Sequence, residues 1–542
     1  MKKFLALFLA LVLALGMVAC GGNKKPTSGD GNTLTIGIQP SAYVLDYEDN
    51  ALTNWLEEQC GVELKFMEYA GGTDVDTQIA TTIAAGERLP DILLGINLSD
   101  ALRLRYGRDQ YFVDMKNYFA DKEGASKVFW DRMEYELSES DQKNIVNYMT
   151  DPGNGSIYAV PIIETSLFDA MNYQVYINTQ WMDKLNLQVP TNKEELLTVL
   201  RAFKNNDCNE NGIEDEIPLF GVTAANIGGG IIDWLINMFV YYDREAQYIV
   251  DENGKIEPVY ITDEYREALK FIAQMYKEGL ISPLTFTSSI TEMRTIVTPA
   301  NGTPIVGMFV GHPTAHITQG SELFDLYEPI ELWCPAVMRA TSCTLNTFIT
   351  ADCENPDKAF ELLMTMWTEE GSYRIRYGEK GVNWDDPTEG AKSVVGMDAR
   401  YKLIDDSAFT SQNSCLWGGV KCTLNAYAET ESAEMAQELD SWVAGRMQKM
   451  AKTLELYKKA AEKYNPEVVC PKLYKTTAEL EETEMERINV PNRASKDRTD
   501  FITGIKDINS DSVWKEYKDA LYSMGLQKII DQDQIVYDRQ SK

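Results

Sequence analysis

From Thr33 to Gly95 short apolar runs alternate with helical patterns, and this alternation constrains the fold more than any other feature of the sequence. Leu34, Ile36 and Ile38 alternate with Thr35 and Gly37 as a strand that stops at Gln39-Pro40. A helical stretch over Asn50–Gln59 leads to a second strand, Val62–Met67. An amphipathic helix over Asp76–Gly86, with Ile79 and Ile83 four apart, leads to a third strand within Pro90–Gly95. Strand, helix, strand, helix, strand specifies an α/β fold built on a parallel sheet. Ligands of such sheets bind beyond the carboxyl ends of the strands. Gln39–Tyr47 and Asn97–Ser99 are therefore candidate walls of a site.

Ahead of this unit, Lys2 and Lys3 precede an apolar run from Phe4 to Val18, which ends on the small Ala19 and then Cys20. A positive start, a short apolar run and a small residue before the break read as a secretory signal, and the run is too short to span a bilayer. With Gly21-Gly22-Asn23 behind Ala19-Cys20, residues 1–20 resemble a bacterial lipoprotein signal. That resemblance implies that Cys20 is lipidated and becomes the mature N-terminus. A plain secretory peptide cleaved elsewhere is the other reading, and both place the protein outside the cytoplasmic membrane. Residues 21–32, rich in Lys, Ser and Gly, read as a flexible tether.

About 520 residues remain after the signal, enough for two to four domains with large cores. No later apolar run has the length of a membrane span. The formal charge is −32, and −34 once Lys2 and Lys3 leave. So acidic a surface repels nucleic acid and anionic lipid and favours neutral ligands. Beyond Cys20 lie Cys60, Cys208, Cys334, Cys343, Cys353, Cys415, Cys422 and Cys470, with neither CxxC nor zinc-ligand spacing. Most of them read as small buried hydrophobes, although their even number permits disulfides.

Several short stretches, taken in order, carry a family resemblance. They are Leu89-Pro90-Asp91-Ile92, Tyr158-Ala159-Val160-Pro161, Asn178-Thr179-Gln180-Trp181-Met182, Asn355-Pro356-Asp357-Lys358-Ala359, Tyr377-Gly378-Glu379-Lys380-Gly381 and Trp514-Lys515-Glu516-Tyr517. With the lipoprotein signal, they make the chain similar to the extracellular solute-binding proteins (family 1) of ABC sugar importers, the group that holds the alginate- and pectin-oligosaccharide-binding lipoproteins. The resemblance implies a two-lobed, periplasmic-binding-protein-like α/β fold with discontinuous lobes, a hinge and a helix-rich C-terminal part. Mapped on this chain, lobe 1 is 33–160 plus 343–405, lobe 2 is 172–336 plus 415–542, and 161–171 and 334–343 are hinge segments. The implied function is capture of an oligosaccharide between the lobes and delivery to the permease subunits, by a monomer tethered to the membrane through its lipid. Binding of a peptide or other solute stays open, as does a surface-anchored glycoside hydrolase or lyase. No GxSxG elbow or phosphate-binding glycine loop argues for catalysis. Within lobe 2, Met435, Leu439, Trp442, Met450, Leu454 and Tyr457 read as one core-facing helical stripe.

The strongest metal signal is Asp207–Glu216. Asp207, Asn209 and Asn211 stand at positions 1, 3 and 5, Gly212 at the sharp turn, Ile213 offers a carbonyl, and Asp215 stands at position 9. Pro218 replaces the usual closing Glu, and Glu216 is expected to serve instead, as a similar loop does in the alginate-binding relatives. Oxygen-only donors select a hard cation, here a structural Ca2+; a solvated Asx-rich turn is the bland reading. The preceding helix opens with the capping pattern Thr191-Asn192-Lys193-Glu194. His312 and His316 are four apart, but no Glu follows the first, so the zinc-protease pattern is absent. Sugars are held by aromatic faces and planar polar groups. Tyr43, Trp234, Trp384 and Trp417, all beside turn residues, and Asn97, Asn172 and His312 are the candidate ligand contacts.

Overall fold

The computed structural model describes residues 32–541 apart from 70–73, 165–170, 172, 224–229, 243–246, 313–315, 319–320, 335–341, 410, 418–428, 437–440, 465–469 and 471. Cys20, the leader, the tether to residue 31, Asn172 and Cys422 lie outside the described residues.

The alternation at the start of the chain folds as read. Strands β1 (Thr33–Ile38), β2 (Glu63–Glu68) and β3 (Ile92–Leu94) are joined by helices Ala51–Cys60 and Asp74–Ala84, and β1 pairs in parallel with both β2 and β3. Asn50 caps the first helix by accepting the Leu52 N–H at 3.0 Å. Gly61 ends it in the left-handed region at φ 63°. Asp91 is buried and accepts the Thr35 N–H at 2.7 Å, which ties the entry of β3 to the start of β1.

The sheet is mixed, not parallel throughout. Strand β4 (Val160–Glu164) forms one edge, and β11 (Ser342–Ile349) inserts antiparallel between β3 and β4, giving the order β2-β1-β3-β11-β4. A second sheet has the order β10-β5-β9-β6, from β5 (Val175–Asn178), β6 (Ile217–Phe220), β9 (Val306–Val310) and β10 (Tyr327–Pro329). Between β6 and β9 lies a small hairpin, β7 (Tyr248–Val250) with β8 (Ile256–Pro258). A three-stranded sheet, β12 (Trp384–Asp385), β13 (Tyr401–Leu403) and β14 (Ala433–Met435), packs with Tyr373 and Tyr377.

Each large sheet has its own core. Ile36, Ile92, Leu93 and Phe348 are completely buried in the first; Leu196, Phe203, Leu219 and Met308 are in the second. The second core also takes the C-terminal helices Ser441–Tyr464, Glu484–Ile502, Asp511–Ser523 and Leu526–Ser541. Met450, Leu454 and Tyr457 of the expected stripe are buried there with Val443 and Met447; Met435 belongs to β14, from which it packs half-buried against the same core, and Leu439 lies outside the described residues. Ala408, Cys415 and Trp417 pack in the first core. Residues 408, 415 and 417 thus side with the first lobe, where Trp417 wedges against Tyr47 and Phe66.

Connectivity positions the site. The chain passes from β4 to β5, back from β10 to β11, and again from β14 to the helix Ser441–Tyr464. The first passage joins the end of β4 to the start of β5, and the second joins the end of β10 to the start of β11. Given the strand pairings, these ends coincide with the carboxyl ends of β1, β2 and β3 in one lobe and of β6 and β9 in the other. The ligand-binding ends of two α/β sheets therefore face each other across the crossings.

Candidate functional site

On the first lobe the loop after β1 is pinned in place. Ser41 Oγ donates to the Leu416 carbonyl at 2.6 Å, and the Ser414 N–H donates to the Tyr43 carbonyl at 2.7 Å. Tyr43 leaves this anchored loop with its side chain exposed, as a ring available to a ligand must be. Asn97 is exposed just beyond β3, and its Oδ1 accepts from the Nδ2 of the buried Asn346 at 3.2 Å. Asn346 was missed because a buried Asn in a strand has no local signature; only the insertion of β11 beside β3 brings it here.

The other expected aromatics do not offer a face. Trp417 is fully buried edge-on to Tyr47 and Phe66. Trp384 is buried against Tyr373, with its indole N–H donated to the Gly378 carbonyl at 3.1 Å. Trp234 is fully buried in the helix Ile231–Asn237. Next to a turn residue, each of these three rings still found more apolar area to bury than to expose.

The aromatic that the sequence reading missed is Trp333. After β10 the chain runs on beside the start of β5, with the Ile330 N–H donated to the Val175 carbonyl at 3.1 Å. This carries Trp333 to the facing end of the second sheet. It is half-buried, its ring 6.0 Å from that of Trp234 at 67°, and its buried Nε1 has no hydrogen-bond partner. The indole N–H groups of the core residues Trp181, Trp367 and Trp514 are unpartnered as well, so what sets Trp333 apart is its half-open ring at this end of the sheet.

His312 follows β9 on the same side. Gly311 precedes it because a Cβ there would meet His316 Nδ1 at 2.3 Å. The His312 N–H donates to that Nδ1 at 2.8 Å. Burial, then the charges of His316 and Arg446, lowers the His312 pKa to about 3. Burial and Arg294 lower that of His316 to about 4, against the opposing effect of the hydrogen bond from His312. Both rings are neutral at pH 7, and the Nδ1 of His316 is taken by the backbone N–H of His312.

The loop Asp207–Glu216 joins the helix Lys193–Lys204 to β6. That helix is capped by Asn192, which accepts the Glu195 N–H at 2.9 Å, and not by Thr191. In the loop, Asp207 accepts the N–H groups of Asn211 at 3.2 Å and Gly212 at 2.9 Å. Asn209 Oδ1 accepts the Asn211 N–H at 3.1 Å, and Asn211 Oδ1 accepts the Ile213 N–H at 2.7 Å. The amides of Asn209 and Asn211 both donate to Asp215, each at 3.0 Å, so side chains from positions 3, 5 and 9 do converge. Glu216 instead accepts the Cys208 N–H at 2.7 Å. Gly212 takes φ 74°, the left-handed turn the pattern requires. No group of three or more His, Cys, Asp or Glu among the described residues is placed to hold a metal ion. The donor set is nonetheless all oxygen and suits a hard cation; in this geometry amide hydrogens supply the positive partner of Asp215.

No family model matches the chain. It is similar to the fructooligosaccharide ABC transporter substrate-binding protein FusA of Streptococcus pneumoniae, with 29% identity over 248 residues, or 44% of this chain and 43% of that one. The match thus spans less than half of that relative's length. The structure resembles that of FusA in complex with kestose, with TM-score 0.73 and 20% identity over 94% of this chain and 99% of that one. A FusA structure described as an EF-hand mutant in complex with fructo-nystose matches to the same extent. An HMO-binding, ABC-transporter-associated solute-binding protein from Bifidobacterium longum infantis gives TM-score 0.74 at 19% identity, over 95% of this chain and all of that one. The fold is therefore that of the two-lobed solute-binding proteins.

Proposed function

We propose that the chain is the solute-binding component of an ABC importer. It captures an oligosaccharide between its lobes, closes on it, and presents the closed form to the permease, held at the outer face of the cell membrane by a lipid on Cys20. The observation that carries this reading is the apposition of the two ligand-binding sheet ends, with Tyr43 exposed on one and the half-buried Trp333, its indole N–H unmatched, on the other. A sugar offers what these groups lack: C–H faces for the rings and hydroxyl acceptors for the indole. Ligand contacts to both lobes favour the closed state, which is how binding becomes a signal. The likeness to FusA supports a sugar, and the net charge of −32 supports a neutral one.

Asp207–Glu216 we assign as a structural calcium loop. Asp207, Asn209, Asn211, the Ile213 carbonyl, Asp215 and Glu216 would hold the ion, which would supply charge neutralisation and a rigid link between helix and strand. Support comes from the convergence of the Asn209 and Asn211 amides on Asp215 and from the EF-hand of FusA.

The test is calorimetric titration of the lipid-free protein with kestose and with trigalacturonate, with calcium present throughout. Binding of kestose without products supports the proposal. Binding of the acidic probe alone would move the ligand class to uronates. Failure with every sugar would favour a peptide or other solute, and turnover would expose a pair of carboxyls across the cleft working as a glycosidase.

A further inference from the structure

The segment Lys472–Glu482 belongs to the C-terminal part of the second lobe but touches the first. Toward the second lobe it is fastened by directional bonds. The Tyr474 N–H donates to Gln540 Oε1 at 2.7 Å, Gln540 Nε2 donates to the Lys472 carbonyl at 2.9 Å, and Arg539 donates to the Tyr474 carbonyl at 2.9 Å. Lys475 pairs with Asp533 at 3.1 Å and Arg539 with Glu479 at 2.8 Å. Leu473 packs with Tyr248, Ile256 and Cys470 beside the β7–β8 hairpin.

Toward the first lobe the contacts are of another kind. The Tyr474 ring stacks on Tyr148 of the helix Glu139–Met149, with centroids 5.1 Å apart and planes at 28°. Lys472 Nζ sits 3.9 Å from the centre of the same Tyr148 ring. Leu480, on the short helix Thr477–Glu482, packs against the first core, and that helix lies against Asp100–Arg108. Among the described residues, no hydrogen bond or ion pair joins 472–482 to the first lobe. Tyr148 Oη donates to Asp100 at 3.4 Å and Arg103 lies 5.8 Å from the centre of the Tyr148 ring, which places the contact at the start of the helix Asp100–Arg108, just beyond the carboxyl end of β3 on the side of the crossings.

We propose that Lys472–Glu482 is a bearing: fixed to the second lobe, it rides on the Tyr148 face of the first and holds the two lobes to one axis of rotation. Stacked rings and a cation over a ring tolerate sliding and tilt, whereas hydrogen bonds do not. A contact close to the crossing strands moves little when the lobes rotate, so it persists as the cleft opens and closes. The inference rests on the hinge closure proposed above, and its test uses no ligand, so that the two readings fail separately.

The test is single-molecule energy transfer between dyes placed by non-cysteine chemistry at Asp131 on the first lobe and Val189 on the second. Tyr474→Ala and Tyr148→Ala, made on opposite lobes, should each broaden the ligand-free distance distribution. The population outside the wild-type range should rise about 2- to 12-fold, the weight of one aromatic pair. The double variant should be no broader than either single one, and Tyr474→Phe should match wild type. An unchanged width in both alanine variants would overturn the proposal. Broadening by Tyr474→Ala alone would also overturn it, because that would report loosening of the C-terminal part. If Tyr474→Ala does not fold, Tyr474→Leu, which keeps apolar bulk without a stacking face, is read in the same way.

Discussion

Trp333 combines a partly open ring with a buried N–H that has nothing to bond, and the two together make it the residue on which recognition should hinge. Trp333→Ala is expected to weaken oligosaccharide binding by about 30-fold, the loss typical of a buried aromatic anchor. Trp333→Phe, which keeps the face and removes the donor, should lose less; calorimetry showing equal affinity in all three proteins would discard the assignment. His312 and His316 make a different prediction. Their folded pKa values lie below that of an unfolded histidine, so the unfolded chain binds more protons between about pH 6.5 and pH 4. Their stabilisation is complete above about pH 6.5 and is lost on acidification, at up to about 1.4 kcal/mol per pH unit for each ring. Melting curves should fall over that range, and more gently in His316→Asn, which keeps an acceptor for the His312 N–H without titrating. Single residues were the least legible level of this sequence. That Tyr43 and Asn97 stand open beyond the ends of β1 and β3 was legible, because both lie in the loops that follow those strands. The burial of Trp234, Trp384 and Trp417 was not legible, because it depends on tertiary partners such as Trp333, Tyr373 and Phe66.

At the scale of elements, local pattern sufficed wherever period and caps agreed. The opening strands and helices stand within a few residues of where the alternation puts them. The cap of Lys193–Lys204 slipped by one residue, because Thr191, Asn192 and Glu195 can each bond a free N–H and only geometry selects Asn192. Strand β11 has no helical or turn signal in its neighbourhood to announce that it inserts antiparallel. Its place is a property of the whole sheet. The loop Asp207–Glu216 is the element with the most distinct test. A cation bound a hundredfold above its dissociation constant adds about 2.7 kcal/mol of stability. EDTA should therefore lower the melting temperature by a few degrees, and calcium should restore it. In Asp215→Ala, which removes the carboxylate that both amides reach, EDTA should have no effect. Equal melting of the wild type with and without chelator would leave the loop as an Asx-rich turn.

For the whole molecule, hinge closure predicts that a bound oligosaccharide lowers the radius of gyration in small-angle scattering, and that Trp333→Ala needs more sugar to reach the same compaction. A ligand that binds with no change in scattering would argue against closure. The two-lobed architecture was legible only through family resemblance, since periodicity says nothing about which strand joins which sheet. The crossings also govern time. In the first sheet β3 and β4 are separated by β11, which ends at Ile349, although β4 itself ends at Glu164. At about 5–20 residues per second a ribosome needs roughly 10–40 s to travel between these points. Throughout that interval the first sheet lacks its inner strand, and when β11 is complete the C-terminal helices of the second core have still to be made.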